Sequence, residues 1–340
     1  MAPSAISPPY TPLPPNGKSL DTISDSIDAL NLLKLQISRN AFHNEPTPSS
    51  TPQELSRKTS FSVGSEFTTV SSFDAEKDKS QFRQYDTPET PQSVIDEYTT
   101  QHKSQTVAYN LLQRNKFHFN KSARPVMTVW EAMEKLDKLI DPSDPDTNEG
   151  QIIHLLQTAE AMRRDGKPQW MQLVGLIHDL GKLLFFYGSA GTWDVVGDTF
   201  PVGCAFSDAN ILPHTFTANP DFNDPIYSTE NGIYEPGCGI ENIIMSWGHD
   251  EYLYLVMKDQ SCIPREGLAM IRYHSFYPWH SKGAYRQFMK KGDEVLLEAV
   301  QAFNPYDLYS KSDEAPPSAD ELKPYYMTLI NKFCPGPIQW

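Results

Sequence analysis

QWMQLVGLIHDLGKLLFFYG, residues 169–188, is the most apolar helical stretch of the chain, and it carries a histidine, an aspartate and a lysine in its middle. Apolar residues cover every face at helical spacing, so the segment reads as a buried helix rather than a surface one. An aspartate buried there without a partner would be costly. Asp179 beside His178 is, however, what a divalent metal accepts: a carboxylate next to a neutral imidazole. Lys182 follows His178 by four residues and projects near the same face, where it can hold a negative or hydroxyl-bearing ligand. A lone histidine among apolar residues is more often a hydrogen-bonded core residue than a ligand, so the metal reading needs companions.

Working outward, helical spacing recurs at 91–117, 128–140, 150–165, 239–258, 264–280, 292–311 and 319–333. Thr128 with Glu131 fits an N-terminal capping box. In 150–165, Ile152, Leu155, Leu156, Ala159 and Met162 form one apolar stripe, and His154 points off it toward Thr158 and Ala161. On a central helix that second face lines a polar cavity. His249 and His274 each sit on a predicted helix, and Asp307 is flanked by aromatics in FNPYDLY. Asp250, next to His249, reads equally as a ligand or as a solvated acid. Four histidines and at least one aspartate on core-type helices point to a metal site. Imidazole and carboxylate without thiolate suit Fe, Mn, Zn or Ni. Six such side chains exceed what one ion with an open position needs, and two ions sharing a carboxylate is the economical reading.

The 340 residues carry 29 Lys plus Arg against 43 Asp plus Glu, a formal net charge of −14. That balance argues against a nucleic-acid partner and against an anionic membrane. Nine of the 28 prolines fall at or before Pro52, and no Trp precedes Trp130. Residues 1–78 therefore read as a disordered Pro/Ser/Thr-rich extension, within which 20–40 repeats Ile23, Ile27, Leu30, Leu33 and Ile37 at the spacing of a transient helix. Residues 79–340 read as one mainly helical domain, with a long Pro/Gly/Asp-rich loop between 188 and 239. Cys204, Cys238, Cys262 and Cys334 form no C-x-x-C pair. No secretory signal or apolar membrane span is evident. A cytoplasmic protein is expected, with nothing that demands a dimer, so a monomer.

The order H…HD…D on helices resembles the HD-domain superfamily, which by itself implies a phosphohydrolase. Longer stretches are sharper: LVGLIHDLGK (173–182), VVGDTFPVGC (195–204), NPDFNDPIYSTE (219–230), MSWGHDEYLYLVMK (245–258), MIRYHSFYPWH (270–280) and FNPYDLYSK (303–311). Together these resemble the myo-inositol oxygenase family, from about Phe82 to Trp340. The resemblance implies an HD-domain-like helical bundle with long irregular loops and a non-haem di-iron site. His154, His178, Asp179 and Asp307 would hold one iron, and His249 and His274 the second. Asp179 would bridge the two, and Asp250 would be a non-ligand.

The resemblance also implies substrate contacts at Arg83, Asp141, Asp144, Lys182, Gly197, Asp198, Ser275 and Lys311, with Lys182 catalytic. The implied reaction is the ring cleavage of myo-inositol by O₂ to D-glucuronate and water, with a mixed-valent Fe(II)/Fe(III) pair. Taken alone, Arg83 and the loop acids read as solvated surface charges, and Gly197 as a turn glycine. The alternative is a metal-dependent phosphohydrolase, which would recruit clustered cations; Lys182, Arg272, Lys282 and Lys311 are the candidates. A third reading, a scaffold with a structural metal, has the Pro/Ser/Thr extension as its only support.

Overall fold

The computed structural model describes residues 83, 85, 87, 88, 90–139, 150–310 and 318–340, all within one compact unit. The extension 1–78 and its helix at 20–40, together with Asp141, Asp144 and Lys311, lie outside the described residues. The chain is mainly α-helical, as expected. Helices α1 (Gln92–Ser104) and α2 (Val107–Phe119) lead to a short strand β1 (Val126–Met127) and to α3 (Val129–Leu136). Then follow α4 (Gln151–Arg164) and α5 (Gln169–Ile177), which runs straight into a 3₁₀ segment, His178–Tyr187. After a long irregular stretch come α6 (His249–Met257), α7 (Arg265–Tyr273), the single turn α8 (Tyr277–His280), α9 (Glu294–Ser310), α10 (Ala319–Phe333) and β2 (Ile338–Gln339). The strands pair antiparallel, Val126 opposite Gln339 and Met127 opposite Ile338.

Four expected helices are interrupted, each for a local reason. The 91–117 helix breaks where Thr106 takes the N-cap of α2, its side chain accepting from the Tyr109 amide. Gln105, fully buried at the break, exchanges two hydrogen bonds with the Trp247 backbone. The 169–188 helix tightens into 3₁₀ geometry at His178 because Gly181 lies hard against the start of α6. A Cβ there would stand 2.0 Å from the His249 carbonyl oxygen. The 239–258 helix begins only at His249, after buried but irregular Ile243, Ile244, Met245 and Trp247. The 264–280 helix stops at Tyr273, with His274 as its C-cap. The capping box at Thr128 and Glu131 forms as expected.

One core runs through α3, α4, α5, the 3₁₀ segment, α6, α7, α9 and α10, from Val129 to Trp340. At Gly175 α5 presses on α4, since a Cβ would meet the Ala159 Cα at 3.2 Å. A second cluster gathers Tyr273, Phe276, Trp279, Tyr285 and Phe288 behind α8. Glu251 clamps three elements: Arg272 Nε donates to its Oε2 at 2.7 Å, and Arg114 Nη1 donates to its Oε1. No helix among the described residues is long and apolar enough to cross a membrane.

Candidate metal centre

Four helical segments and one 3₁₀ segment deliver six buried side chains to one place. His154 comes from the second turn of α4, and Asp307 from α9 close after Pro305. His178 and Asp179 open the 3₁₀ segment, His249 is the first residue of α6, and His274 caps α7. The expectation that all of them ride core-type helices is thus corrected for His178 and Asp179, which open a 3₁₀ segment. Three histidines sit at element ends, where backbone carbonyls are within reach of their rings.

Those carbonyls orient the imidazoles. His178 Nδ1 donates to Gly175 O at 2.8 Å, His249 Nδ1 to Val195 O at 2.7 Å, and His274 Nδ1 to Ile271 O at 3.0 Å. A carbonyl only accepts, so in each neutral ring Nε2 carries the lone pair. These lone pairs face carboxylate oxygens and one another. His178 Nε2 is 3.2 Å from Asp307 Oδ1 and 3.6 Å from Asp179 Oδ2. His154 Nε2 is 3.1 Å from Asp307 Oδ1 and 3.8 Å from Asp179 Oδ2. The other Asp179 oxygen, Oδ1, is 3.4 Å from His249 Nε2 and 3.5 Å from His274 Nε2, and those two nitrogens stand 3.1 Å apart.

Lone pair against lone pair is repulsive unless a cation lies between. Ligand atoms set ~2.1 Å from one ion are themselves about 3.0–3.4 Å apart in tetrahedral or octahedral geometry; four of these seven spacings lie in that range, and the other three are wider. His178 Nε2 is buried without any hydrogen bond, as expected of a nitrogen whose partner is a metal. Three groups of His and Asp close enough to hold an ion overlap here: His154, His178 and Asp179; His178, His274 and Asp307; Asp179, His249 and His274.

Charge points the same way. Burial opposes ionisation of Asp179 and Asp307, yet Lys182 and His178 for the first, and His178 and His154 for the second, hold both well below the usual carboxylate range. With no cation in place, burial works against the charge on His274, but Asp250, Asp179 and Asp307 push its imidazole up to about 9, a demand for positive charge that a metal ion would meet in place of the proton. Three buried carboxylates with Lys182 as the adjoining ammonium, its Nζ 2.8 Å from Asp179 Oδ2, form a place that attracts positive charge.

Asp250, left open by its spacing, is fully buried. It lies 2.7 Å from His249 Nε2 and holds Ser275 by both backbone N and Oγ, each at 3.1 Å. Of the remaining expected contact residues, Arg83, Gly197 and Asp198 are among the described residues, and they come together. Asp198 takes Arg83 Nη2 at 2.6 Å, and the Arg83 guanidinium lies 3.3 Å from the centre of the Tyr277 ring. Gly197, at φ +93°, places its backbone against Gln101, whose Nε2 donates to Val196 O and Asp198 O. Thr199 N donates to Ser275 O at 2.9 Å, tying this loop to the residue after His274. The loop also carries Val195, whose carbonyl orients His249. Sequence reading missed Val195 and Tyr277. Neither has a signal in the sequence: one acts through a carbonyl, the other through a stack formed across the fold.

Among the described residues, Lys182 is the candidate phosphohydrolase cation that stands beside Asp179, and two others are placed elsewhere. Arg272 is consumed by Glu251 and by the carbonyls of Glu241 and Ile243, and Lys282 is exposed.

The family profile described as "Myo-inositol oxygenase" matches residues 91–340. The chain is similar to "Inositol oxygenase 5" of Arabidopsis thaliana, with 49% identity over 266 residues, 76% of this chain and 84% of the relative. It is similar to "Inositol oxygenase" of Danio rerio, 46% identical over 272 residues, 78% of this chain and 95% of the relative. The "Inositol oxygenase" of Sus scrofa is 46% identical over 270 residues, 78% of this chain and 94% of the relative.

Proposed function

The chain belongs to the myo-inositol oxygenase family, and on that premise we propose that it opens the ring of myo-inositol with O₂, giving D-glucuronate and water, at a centre of two irons. The enzyme is an oxidoreductase of the oxygenase kind, and its family is metal-dependent. The assignment of ligands is part of the proposal. His154, His178, Asp307 and Asp179 Oδ2 would hold one ion, while His249, His274 and Asp179 Oδ1 would hold the other. The observation that carries it is the division of Asp179, whose two oxygens address two different sets of imidazoles. The second set has fewer protein ligands, which leaves room for two substrate oxygens. When bound, the irons, as a mixed-valent Fe(II)/Fe(III) pair, supply Lewis acidity to the polyol and exchange electrons with O₂.

The protein's own groups do the rest. Lys182 Nζ, beside Asp179 and 3.4 Å from Gln151 Oε1, brings positive charge to the edge of the centre and favours loss of a proton from a polyol hydroxyl set next to it. Ser275 Oγ must donate to the Asp250 carboxylate, so its lone pairs are left to accept from a substrate hydroxyl. Arg83, fixed by Asp198 and Tyr277, offers its other N–H groups to the ring, and Gly197 can offer only backbone groups. Asp141, Asp144 and Lys311 complete the proposed contact set. Burial of the ligands keeps bulk water from the reacting carbon.

A cytoplasmic location belongs to the same proposal, supported by the sparse cysteines of the sequence, and so does a monomeric state. The test is O₂ consumption by the iron-reconstituted, partly oxidised enzyme. Uptake should require myo-inositol and yield one D-glucuronate per O₂. Uptake indifferent to the polyol, or none at all, contradicts the reading.

A further inference from the structure

Tyr277 is the first residue of α8, shortly after His274 and Ser275, and it is buried. Two contacts fix its ring. At the edge, the phenol oxygen accepts from Asn304 Nδ2 at 2.9 Å. Over the face stands the Arg83 guanidinium, 3.3 Å from the ring centre. Asn304 belongs to α9, one turn before Asp307 and on the same side of that helix. The same helix holds the other end of α8, where Gln301 Nε2 donates to His280 O at 2.7 Å, and His280 Nε2 donates to His274 O at 3.0 Å. The ring is therefore tied to the elements that carry His274 and Asp307.

Arg83 needs such a seat. Among the described residues its hydrogen-bond acceptor is Asp198, reached through Nη2 at 2.6 Å, and the side chain is still 20% exposed. One bond fixes a point on a guanidinium but not its plane. A guanidinium carbon 3.3 Å from a ring centre has little room to tilt, so the ring fixes the plane and with it the direction of Nε and Nη1. Arg83 also sits at φ +59°, a left-handed backbone angle that a residue with a side chain seldom adopts unless surrounding contacts hold it there.

Resting on the inositol reading above, we infer that Tyr277 is a positioning residue for substrate binding: held by Asn304, its ring orients Arg83 so that the remaining N–H groups of the guanidinium meet hydroxyls of the polyol. Tyr277 acts through Arg83, so its loss weakens binding of the substrate and leaves the chemical step alone.

The test is steady-state O₂ uptake by the iron-reconstituted full chain carrying Tyr277→Leu, Tyr277→Phe, Arg83→Ala, or Arg83→Ala together with Tyr277→Leu. Tyr277→Leu should raise the KM for myo-inositol roughly 5–30-fold, with kcat and iron content within about twofold of the unmodified chain. Tyr277→Phe keeps the ring face and recovers most of the loss. In the Arg83→Ala chain, Tyr277→Leu should add nothing, because the residue it positions is gone. A fall in kcat or iron content in Tyr277→Leu, or an undiminished effect without Arg83, overturns the proposal and makes the ring packing for His274. A second readout is independent of turnover: the rate of tryptic cleavage after Arg83, followed by mass spectrometry on the same iron-loaded chains. It should rise about 5-fold or more in Tyr277→Leu and stay low in Tyr277→Phe; equal rates in these two and the unmodified chain also overturn the proposal. An unmodified chain that consumed no O₂ with myo-inositol would sink the inositol reading, while the cleavage rates would still decide whether Tyr277 holds Arg83.

Discussion

Asp179 ends in two oxygens, and each looks at a different set of imidazoles. Beside it lies Lys182, Nζ 2.8 Å from Oδ2, whose proposed role would separate binding from turnover. Lys182→Ala removes a charge that favours deprotonated substrate and leaves all six nitrogen and oxygen donors in place. Its iron content should match the unmodified protein while kcat falls by about 10²–10³-fold, checked by metal analysis alongside O₂ uptake. Loss of iron in this variant would instead make Lys182 a structural partner of Asp179. At this scale the sequence was informative. His178 and Asp179 stood out because a carboxylate in an all-apolar helix demands a partner; His154, His249, His274 and Asp307 stood out as metal-type side chains on core-type helices, and the resemblance supplied their proposed division between two irons. Asp250 was legible only as an ambiguity. The dipeptide flags it, but its grip on Ser275 arises from a turn 25 residues away. Arg83 looked like a surface charge because both of its partners, Asp198 and Tyr277, are distant in the chain.

The elements that carry the site are held by close approach as much as by apolar burial. The 3₁₀ segment His178–Tyr187 and the first turn of α6 touch through Gly181, with no room for a methyl group. Gly181→Ala must move backbone on one side or the other, at a cost of about 1–3 kcal/mol or more, and it displaces His249 from Asp179. A lowered melting temperature together with reduced iron per chain is expected; an alanine variant with normal values of both would refute the close-packing argument.

At the other flank of α6, Glu251 is buried between Arg114 and Arg272. Burial would raise its carboxyl, but the two guanidinium groups hold it down at about 2. Because the folded value lies below the ordinary 4.5, the ionised form contributes stability that is complete above pH 4.5 and is lost as pH falls from there toward about 2. Urea midpoints measured across that window should fall more steeply for the unmodified chain than for Glu251→Gln. At neutral pH, Glu251→Ala should cost about 3–5 kcal/mol by leaving buried guanidinium groups unpaired. Parallel pH profiles for the two chains would contradict this. Element boundaries were the least legible feature. The apolar period runs unbroken through His178 because α and 3₁₀ geometry bury the same residues there. Ile243, Ile244, Met245 and Trp247 mimic a helix because they are buried without being helical. The Asp293 carboxylate caps its own turn and receives Arg265 from α7, a contact no local pattern announces.

Across the whole molecule, one core spans α3 to the C-terminal Trp340 and leaves a polar heart where α4, α5, α6, α7 and α9 converge. That heart is why the fold class could be read from the sequence. Helices apolar all round must be central, and central helices bearing histidine and aspartate must bring them together. The two-stranded sheet could not be read, since strands of two residues carry no period. The strong negative charge of the chain suits an uncharged polyol better than a phosphorylated substrate at the centre.

The claim on which the rest depends is that the two oxygens of Asp179 join two irons, one of which is open to the polyol. Its most direct measurement is iron quantification with low-temperature EPR of the partly oxidised enzyme, before and after adding myo-inositol. The account predicts about two irons per chain and a spin-coupled mixed-valent signal that changes when the polyol is added. A single iron per chain, or a signal that myo-inositol leaves untouched, would contradict it.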